Sequence, residues 1–320
     1  MPAPVHRWLT LATLAPSPLN TQPWHFRVAR SAIDLHADTA RSLPIADPDG
    51  RERTIAVGCA LLNLLVACAA DGYRADVTLL PDPAAPNLLA RVTIAEGGSD
   101  AALARLAPAI LHRRSTRHAL HAGPFPQSLR QDLDTLAREA HLTLAFIESR
   151  ADRQALADLV AEGDRRLHHD PAWRHEQAAW IRPGRAPDGL PASRLGGPLL
   201  RFLVDHFDFG ATTAGRDEVY TLHAPAVAIL ATASDTPADW LRAGQALQRL
   251  LLRAALDDIH AGYLQQPLQL ADLRQAVAAR FTPGRFPQLC IRLGRPVDDP
   301  PPRRRRTLAE CAEFASPAGP

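Results

Sequence analysis

Two stretches of the chain carry apolar residues at helical spacing. Residues 57–73 read VGCALLNLLVACAADGY and residues 243–263 read AGQALQRLLLRAALDDIHAGY. In each stretch leucines recur three and four positions apart, which is the period of one helix face. The pattern predicts one long buried helix in each stretch. The Gly-Tyr pair that closes both stretches is the predicted C-terminal stop of each helix.

The two predicted helices share the pattern G-x-A-L-x-x-L-L. It begins at Gly58 in the first helix and at Gly244 in the second. Because glycine has no Cβ, these positions predict close helix approach. Two explanations of the likeness stay open at this point. One is a duplication, and the other is chance similarity between two buried helices in a chain rich in leucine and alanine.

Short aliphatic and β-branched runs around these helices predict strands. They occupy residues 27–38, 75–80, 90–96, 142–149, 225–234 and 287–294. The helices and strands do not follow a regular βαβ rhythm, and no G-x-G-x-x-G turn follows a strand. The order therefore favours an α+β fold over a Rossmann domain.

Residues 150–205 have no counterpart in the first half of the chain. They include RPGRAPDGLPASRLGGP, which is rich in proline, glycine and arginine. A long loop inserted into a compact domain is often a lid over a site. We therefore expect a lid here, with Trp173 and Trp180 as its aromatic residues.

The composition is that of an ordinary soluble globular protein, with 320 residues, 46% of them hydrophobic, and a formal net charge of +2. This length allows a large core and two domains. The balanced charge gives no electrostatic footprint for nucleic acid. All 36 basic residues are arginine, so a lysine Schiff base or lysine general base is excluded.

Cysteine and histidine spacing indicates no metal site. The four cysteines form no CxxC pair, and the histidines lack ligand spacing with carboxylates. Cys59 and Cys68 lie in an apolar run, which favours buried, unreactive thiols in a reducing compartment. The start of the chain has no signal-peptide pattern, and no apolar run predicts a membrane span. We expect a cytoplasmic protein without a membrane or nucleic-acid partner.

Two motifs carry a family resemblance. APSPLNTQPWHF (residues 15–26) resembles the S-P-x-x-N-x-Q-P-W loop of the FMN-dependent nitroreductase superfamily, and HRRSTRHAL (residues 112–120) resembles its R-R-S-x-R motif. The stretches around the two predicted helices, and PQLCIRLGRP with the basic tail, are similar to the fused, double-length Acg-type members. The resemblance covers most of the chain except residues 150–205.

This resemblance implies a duplicated nitroreductase-like α+β fold. Its two sheet-plus-helix halves would be related by a pseudo-twofold axis, with the long central helices packed together. The halves would span residues 1–104, which contain the loop motif, and residues 105–320, which contain the arginine motif and the lid insert.

The resemblance also implies an FMN site, and the chemistry of the residues agrees with it. A phosphate dianion requires permanently charged, bidentate donors, which arginine supplies. Asn20 and Gln22 offer amides suited to the pyrimidine edge of a flavin, beside small residues that let a flat ring approach. By resemblance, the basic tail also reaches the phosphate and the turn LQQP lies near flavin N5. The implied cofactor-binding residues are Pro16, Ser17, Pro18, Asn20, Gln22, Arg113, Arg114, Ser115, Arg117, Gln266, Arg305 and Arg306.

Each assignment has a purely structural alternative. The arginine motif is also typical of a solvated basic turn, and the run Arg303 to Arg306 of a solvated tail. Gln266 also suits a helix-end turn, and Trp24, at the start of a strand, is predicted to belong to the core rather than to the cofactor site.

The two motifs lie in different halves of the chain. In the dimeric members, one flavin takes its arginine motif from one subunit and its loop from the other. This chain has the loop only in its first half and the arginines only in its second. We therefore expect one FMN per chain, in a monomer that acts as a fused pseudo-dimer.

The leading hypothesis is an oxidoreductase that passes a hydride from NAD(P)H through FMN to a small acceptor such as a nitroaromatic or a quinone. No catalytic side chain is expected, because the cofactor carries the chemistry. The alternative is an Acg-type FMN-binding or flavin-storage protein whose lid keeps substrates out. A third possibility is a scaffold without flavin.

Overall fold

Helices and strands are mixed along the chain in an α+β arrangement. The computed structural model describes residues 4–29, 32–298, 300–301 and 304–315. The helices are α1 (Val5–Ala12), α2 (Arg51–Ala70), α3 (Ala101–Ala104), α4 (Ala107–His112), α5 (Gln127–Glu139), α6 (Arg150–His169), α7 (Pro171–Ala179), α8 (Gly197–His206), α9 (Gly210–His223), α10 (Pro237–Ala255), α11 (Ala271–Phe281) and α12 (Leu308–Cys311). The strands are β1 (Trp24–Val28), β2 (Ala32–Ala37), β3 (Tyr73–Leu79), β4 (Leu88–Glu96), β5 (Thr143–Phe146), β6 (Ile181–Pro183), β7 (Leu190–Ala192), β8 (Ala226–Thr232), β9 (His260–Tyr263), β10 (Phe286–Gly294) and β11 (Ala312–Phe314). The predicted α+β class is confirmed.

Two main sheets divide the strands between the two parts of the chain. The first has the order β11-β1-β2-β4-β3, and the second has the order β5-β8-β10-β9. Each predicted strand run overlaps an observed strand, and residues 27–38 overlap two. β11 pairs parallel to β1, with Ala312 beside Phe26, so the end of the chain joins the first sheet. This return carries the C-terminal arginines back to the first half.

The long helices α2 and α10 pack against each other in the main core. A Cβ built on Gly244 would lie 2.9 Å from Gly58 Cα and would overlap the carbonyl oxygen of Ile55. The two glycines of the shared pattern therefore face each other where the helices cross. The predicted close approach is confirmed, whereas the duplication remains a prediction.

The predicted helix stop is wrong for the second stretch. α10 ends at Ala255, and Gly262 and Tyr263 belong to β9. At the end of α2 the prediction fits better, because Gly72 has φ +85° in the turn to β3. Gly262 instead leaves room for Arg292, since a Cβ there would lie 2.6 Å from Arg292 Nε.

Residues 150–205 form regular elements rather than a long loop, which corrects the sequence prediction. α6, α7 and α8 occupy most of the segment. A Cβ on Gly163 of α6 would lie 2.9 Å from the Gln266 backbone, so α6 packs directly on the turn after β9. The irregular part is shorter and includes the parallel pair β6–β7, from Trp180 to Ala192.

α2 is long and apolar enough to span a membrane by length and composition, contrary to the sequence expectation. In the structure, however, 89% of the apolar stretch of this helix is buried inside the protein. The same helix carries Cys59 and Cys68, whose predicted burial is confirmed. Burial also raises the pKa of both thiols to about 12, so they stay protonated at neutral pH.

Candidate functional site

Three segments that are distant in sequence meet at the carbonyl oxygen of Leu14. The Nη2 atom of Arg113 donates to this oxygen at 3.1 Å, and the Nη2 atom of Arg305 donates to it at 3.3 Å. Arg305 also donates to the carbonyl oxygens of Thr13, at 2.7 Å, and Ala15, at 3.1 Å. The arginine motif, the C-terminal tail and the start of the loop motif therefore meet at one point.

Helix geometry explains part of this convergence. α1 ends at Ala12, and the carbonyl groups of the turn directly after it have no partner within the helix. A guanidinium is the natural partner for such carbonyls, because it supplies several donors in a plane. A structural capping role is therefore sufficient to explain Arg305. It does not explain why a second guanidinium is placed on the same oxygen.

Arg113 is buried with part of its donor capacity unused. It follows α4, and its Nη1 atom donates to the Ser115 hydroxyl at 3.2 Å. Its Nε atom is buried without a hydrogen-bond partner among the described residues. No carboxylate of the described residues pairs with it, and burial lowers its pKa from the usual range. A buried guanidinium in this state favours binding of an anion.

The rest of the arginine motif lies along the edge of β9. The backbone N–H of Arg114 donates to His260 Nδ1 at 3.2 Å, and the Thr116 N–H donates to the Ala261 carbonyl at 2.9 Å. The Arg114 side chain turns back to the Leu111 carbonyl at 2.7 Å. Arg117 is exposed. β9 thus fixes the backbone of the motif, while its side chains point in different directions.

The loop motif contains three left-handed residues within four positions. Leu19, Asn20 and Gln22 have φ values of 48°, 57° and 52°. Such conformations are uncommon for residues with a Cβ and are concentrated at functional sites. The Ser17 hydroxyl accepts the Gln22 N–H at 3.0 Å and stabilises this backbone. Pro16 and Pro18 are half-buried beside it.

The two amide side chains of the loop bind protein groups. Arg305 Nη1 donates to Asn20 Oδ1 at 2.9 Å, and the Arg306 N–H donates to Gln22 Oε1 at 2.9 Å. Gln22 Nε2 donates to the Pro187 carbonyl at 2.8 Å. The predicted loop and tail residues are therefore in contact, and their amides hold the tail in place. Trp24 is fully buried, which confirms its predicted place in the core.

Arg306 is also held by the loop and by α12, the helix that follows it. Its Nη1 atom donates to the Gln22 carbonyl at 3.3 Å and lies 3.4 Å from the Asp38 carboxylate. Its Nη2 atom donates to the Glu310 carbonyl. These contacts give Arg306 a structural role in attaching the tail. Arg303 lies outside the described residues.

Gln266 contacts a different group of residues. Its Nε2 atom donates to Asp164 of α6 at 3.1 Å and to Asp217 of α9 at 2.8 Å. Within the described part of the chain, its side-chain hydrogen bonds all go to these two helices. The structure therefore does not bring its amide to the arginines or to the loop motif.

Asp164 and Gln266 together form a proton-dependent contact. Burial, followed by the charge of Asp217, raises the pKa of Asp164 to about 7. Asp164 Oδ2 and Gln266 Oε1 are both buried and without a partner in the described structure. A protonated Asp164 carries an O–H donor, whereas the ionised carboxylate can only accept.

A short segment of the insert is attached to the loop motif. We call residues 180–192 the strap. The Gly189 N–H donates to the Asn20 carbonyl at 3.3 Å, next to the Gln22–Pro187 hydrogen bond. Asp188 pairs with Arg41, and with Arg182 at 3.2 Å. The strap therefore covers part of the loop motif.

The charges of the strap hold it in this position. Burial opposes ionisation of Asp188, but hydrogen bonds and charge from Arg41 and Arg182 outweigh it and keep its pKa below the usual range. The guanidinium groups of both arginines also lie over the Trp180 ring, at 5.3 and 5.0 Å from its centroid. Nearby, Glu176 accepts the N–H groups of Ile45 and Ala46 at 2.8 and 3.0 Å.

Sequence reasoning missed two features of this region. Arg292 of β10 is 3% exposed, lies over the Tyr220 ring at 4.6 Å and approaches the Thr116 carbonyl at 3.5 Å. A single arginine inside the apolar run PQLCIRLG was the available signal, because a charged residue is rarely buried without a specific role. The Arg41–Asp188 contact had no such signal, because its partners are far apart in sequence.

Comparison with known proteins decides the family. No protein-family profile matches the chain. A Mycobacterium tuberculosis protein named "Putative NAD(P)H nitroreductase Rv3131" is 32% identical over 320 residues, covering 96% of this chain and 90% of the relative. The chain belongs to the nitroreductase family. Another nitroreductase relative from the same organism, named "Putative NAD(P)H nitroreductase acg", is 28% identical over 305 residues and covers 92% of this chain. The family expected from the motifs is thereby confirmed.

Solved structures of nitroreductases are more distant in sequence. The FMN-dependent nitroreductase NfnB from Mycobacterium smegmatis, in complex with NADPH, is 19% identical, with a TM-score of 0.42 over 67% of this chain and all of that chain. The FMN- and NADPH-dependent nitroreductase NfnB from a Sphigopyxis strain is 18% identical, with a TM-score of 0.45 over 66% of this chain. The family assignment rests on the sequence relatives.

Proposed function

We propose that the chain is an FMN-binding oxidoreductase that uses NAD(P)H and reduces a small acceptor such as a nitroaromatic or a quinone. The observation that carries the proposal is the convergence of Arg113 and Arg305 on the Leu14 carbonyl. Two guanidinium groups that donate to one oxygen bring positive charge and N–H donors to the same place, which suits an anion such as a phosphate. The names of the relatives and of the solved nitroreductases support FMN and NAD(P)H as the ligands.

The residues present fit the phosphate end of FMN. The unused Nε donor of buried Arg113, the Ser115 hydroxyl and the neighbouring guanidinium groups form a donor set suited to a phosphate. In this proposal Arg113, Arg114, Ser115, Arg117 and Arg305 hold the phosphate. Arg306 contributes indirectly, because it anchors the tail to the loop.

The loop motif would contact the isoalloxazine mainly through its backbone. The left-handed conformations of Leu19, Asn20 and Gln22 form a tight turn directly after Pro16, Ser17 and Pro18. The amides of Asn20 and Gln22 become available to a ring only when the tail or the strap releases them. Gln266 would act through its backbone, because its side chain binds Asp164 and Asp217.

The bound flavin supplies the redox chemistry, since its ring accepts a hydride and passes electrons on. The side chains described here bind and orient it, and we assign no general acid or base. The strap controls which molecules reach the site, because it is joined to the same loop that would flank the ring.

The second candidate function is a closed FMN-binding or flavin-storage protein. The attachment of the strap favours it specifically, since Gln22, Asn20 and Arg41 all contact residues 187–189. In that case a nicotinamide cannot reach the flavin, and little or no reductase activity results.

We further propose one FMN per chain and an arrangement in two halves, residues 1–104 and 105–320. The loop motif lies in the first part and Arg113 in the second, so one chain supplies both sides of the site. A cytoplasmic location is proposed as well. Four buried cysteines with free thiols, as found in reducing compartments, support it.

Anaerobic reduction distinguishes the two candidates. The purified chain is loaded with FMN, oxygen is removed, and excess NADPH or NADH is added while the flavin absorbance is followed. Rapid bleaching supports the reductase. Bound flavin that stays yellow with both donors overturns the reductase proposal and favours the closed binder. A chain that takes up no FMN overturns both.

A further inference from the structure

Two arginines converge on a single carboxylate where the strap meets the loop motif. Asp188 pairs with Arg41, which lies between β2 and α2, and with Arg182 of the strap at 3.2 Å. All three side chains are partly exposed, with 15% of Asp188, 17% of Arg41 and 33% of Arg182 accessible. One carboxylate therefore balances two guanidinium groups at a place that solvent reaches.

Three other carboxylates of this region bind other groups. Glu176 accepts two backbone N–H groups, Glu310 caps the start of α12, and Asp38 pairs with an arginine of the tail. Within the described residues none of them forms an ion pair with Arg41 or Arg182. The two guanidinium groups therefore share a single ion-pair partner.

The charge of the strap suits a doubly charged anion. Two arginines, Arg182 and Arg185, and one aspartate, Asp188, give the strap a formal charge of +1, and Arg41 raises the total to +2. Arg185 is exposed and forms no ion pair with the part of the chain that the structure describes. A phosphate monoester carries about 1.5 to 2 negative charges at neutral pH, and its oxygens match the paired donors of a guanidinium. It therefore fits this site better than one carboxylate does.

Contacts other than the ion pairs hold both guanidinium groups in place. They lie over the buried ring of Trp180, with Arg41 at 5.3 Å and Arg182 at 5.0 Å from its centroid. Each also donates to a backbone carbonyl group, Arg41 to Thr21 and Arg182 to Ala179. These contacts do not involve the carboxylate, so the site is preorganised for another anion.

We propose that Arg41 and Arg182 form the site for the 2′-phosphate of NADPH. Asp188 fills this site while no nucleotide is bound, and Arg185 adds positive charge beside it. The inference rests on the proposed function, in which the chain uses NAD(P)H and the FMN phosphate binds elsewhere, at Arg113. It also selects the electron donor, because NADH has a hydroxyl group where NADPH has this phosphate.

Displacement of Asp188 also gives the strap a way to open. Asp188 lies between Pro187, which accepts a hydrogen bond from Gln22, and Gly189, which donates one to the Asn20 carbonyl. A phosphate that takes the place of the carboxylate removes the ion pairs between these two hydrogen bonds. NADPH therefore loosens the strap as it binds, whereas NADH does not.

Calorimetric titration of the FMN-loaded chain with adenosine 2′,5′-bisphosphate tests the site. Adenosine 5′-monophosphate lacks only the 2′-phosphate, and it should bind about tenfold to a hundredfold more weakly, the range for charge-assisted hydrogen bonds. Equal affinity for the two nucleotides, or no binding of either, overturns the proposal. Inorganic phosphate that binds as tightly as the bisphosphate also overturns it, because the site then recognises any phosphate. Neither nucleotide is a reductant, so the result is separate from whether the chain is a reductase, and a chain that takes up no FMN can be titrated in the same way.

Three variants test the residues of the site. Arg182→Ala should remove most of the preference for the bisphosphate, and Arg182→Lys should keep part of it, because the positive charge remains. Arg201→Ala, at an exposed arginine of α8 without an ion pair in the described chain, is the matched control and should bind as the wild type does. An Arg182→Ala variant that keeps the full preference overturns the proposal.

Asp188→Asn separates a phosphate site from a purely structural ion pair. The variant should bind the bisphosphate several-fold more tightly, because the internal competitor has lost its charge, while its affinity for adenosine 5′-monophosphate stays the same. A structural ion pair gives no such gain. Unchanged or weaker binding of the bisphosphate therefore overturns the role of Asp188 as the internal occupant.

Discussion

Arg113 and Arg305 donate to the same oxygen atom, the carbonyl of Leu14, from positions at opposite ends of the second part of the chain. This contact requires that the chain end returns to the first sheet, where β11 pairs with β1. The candidate flavin site therefore depends on the fold as a whole. A change that detaches the tail should affect the loop motif and the arginine motif together.

The helix crossing gives the clearest prediction for stability. Gly244→Ala should destabilise the protein by about 3 kcal/mol or more, because the new methyl group meets the backbone of α2, which cannot move aside as a side chain can. Urea unfolding at equilibrium measures the change. Gly215→Ala on α9 is the matched control, since its Cβ meets no atom within 4 Å. There the better helix propensity of alanine should stabilise by about 0.5–1 kcal/mol.

The strap gives a prediction for access to the flavin. Asp188→Asn removes the charge that holds Arg41 and Arg182, so the strap should open more often. Stopped-flow reduction of bound FMN by NADPH should then be several-fold faster, since loss of a partly buried ion pair costs about 1–3 kcal/mol. Glu162→Gln, in a surface ion pair on α6, should leave the rate unchanged. An Asp188→Asn rate equal to that of the wild type, at equal FMN content, contradicts a gating role.

The buried carboxyl group of Asp164 predicts a pH dependence of stability. In the unfolded chain an aspartate ionises near pH 4, whereas in the folded protein Asp164 keeps its proton to about pH 7. The folded state thus binds the extra proton between these values, and stability falls as pH rises through this window. The full shift in the pKa of Asp164 sets an upper bound of about 4 kcal/mol on this loss of unfolding free energy.

Asp164→Asn tests this dependence, because asparagine keeps the shape of the side chain and stays neutral at every pH. The stability of the variant should fall less than that of the wild type between pH 4 and pH 8, and the variant should be the more stable of the two at pH 8. Thermal unfolding over this pH range measures both effects. Burial also raises the pKa of Glu52 to about 7, so Glu52 accounts for the pH dependence of stability that remains in the variant. A variant with the wild-type slope and lower stability at pH 8 contradicts the protonated contact.

Periodicity and motif spacing predicted much of this fold, because both depend on local sequence. The α2 and α10 helices, their glycine crossing and most strands follow from apolar spacing and from the lack of a Cβ. The predicted helix stop at Gly262 failed because α10 already ends at Ala255, and Gly262 lies in β9 beside Arg292. The helical insert was missed because proline and glycine at its centre obscured the regular turns on either side.

The site was predicted as a set of residues but not as a set of contacts. The family resemblance of the motifs indicated that the arginines and the loop amides suit a flavin. It did not indicate that Gln22 binds the strap and the tail, because those partners are 165 and 284 positions away. Gln266 shows the same limit, since its amide serves two buried carboxyl groups on helices that the sequence did not place beside it.

Titration of the chain with FMN tests the central claim most directly. Calorimetry or flavin fluorescence should give one FMN per chain, and Arg113→Ala should weaken binding about tenfold to a hundredfold, the range for loss of a charge-assisted hydrogen bond in a buried site. Arg138→Ala on the surface of α5 is the control and should bind as the wild type does. Two FMN per chain, no FMN, or an Arg113→Ala variant with unchanged affinity would contradict a single composite flavin site built on Arg113.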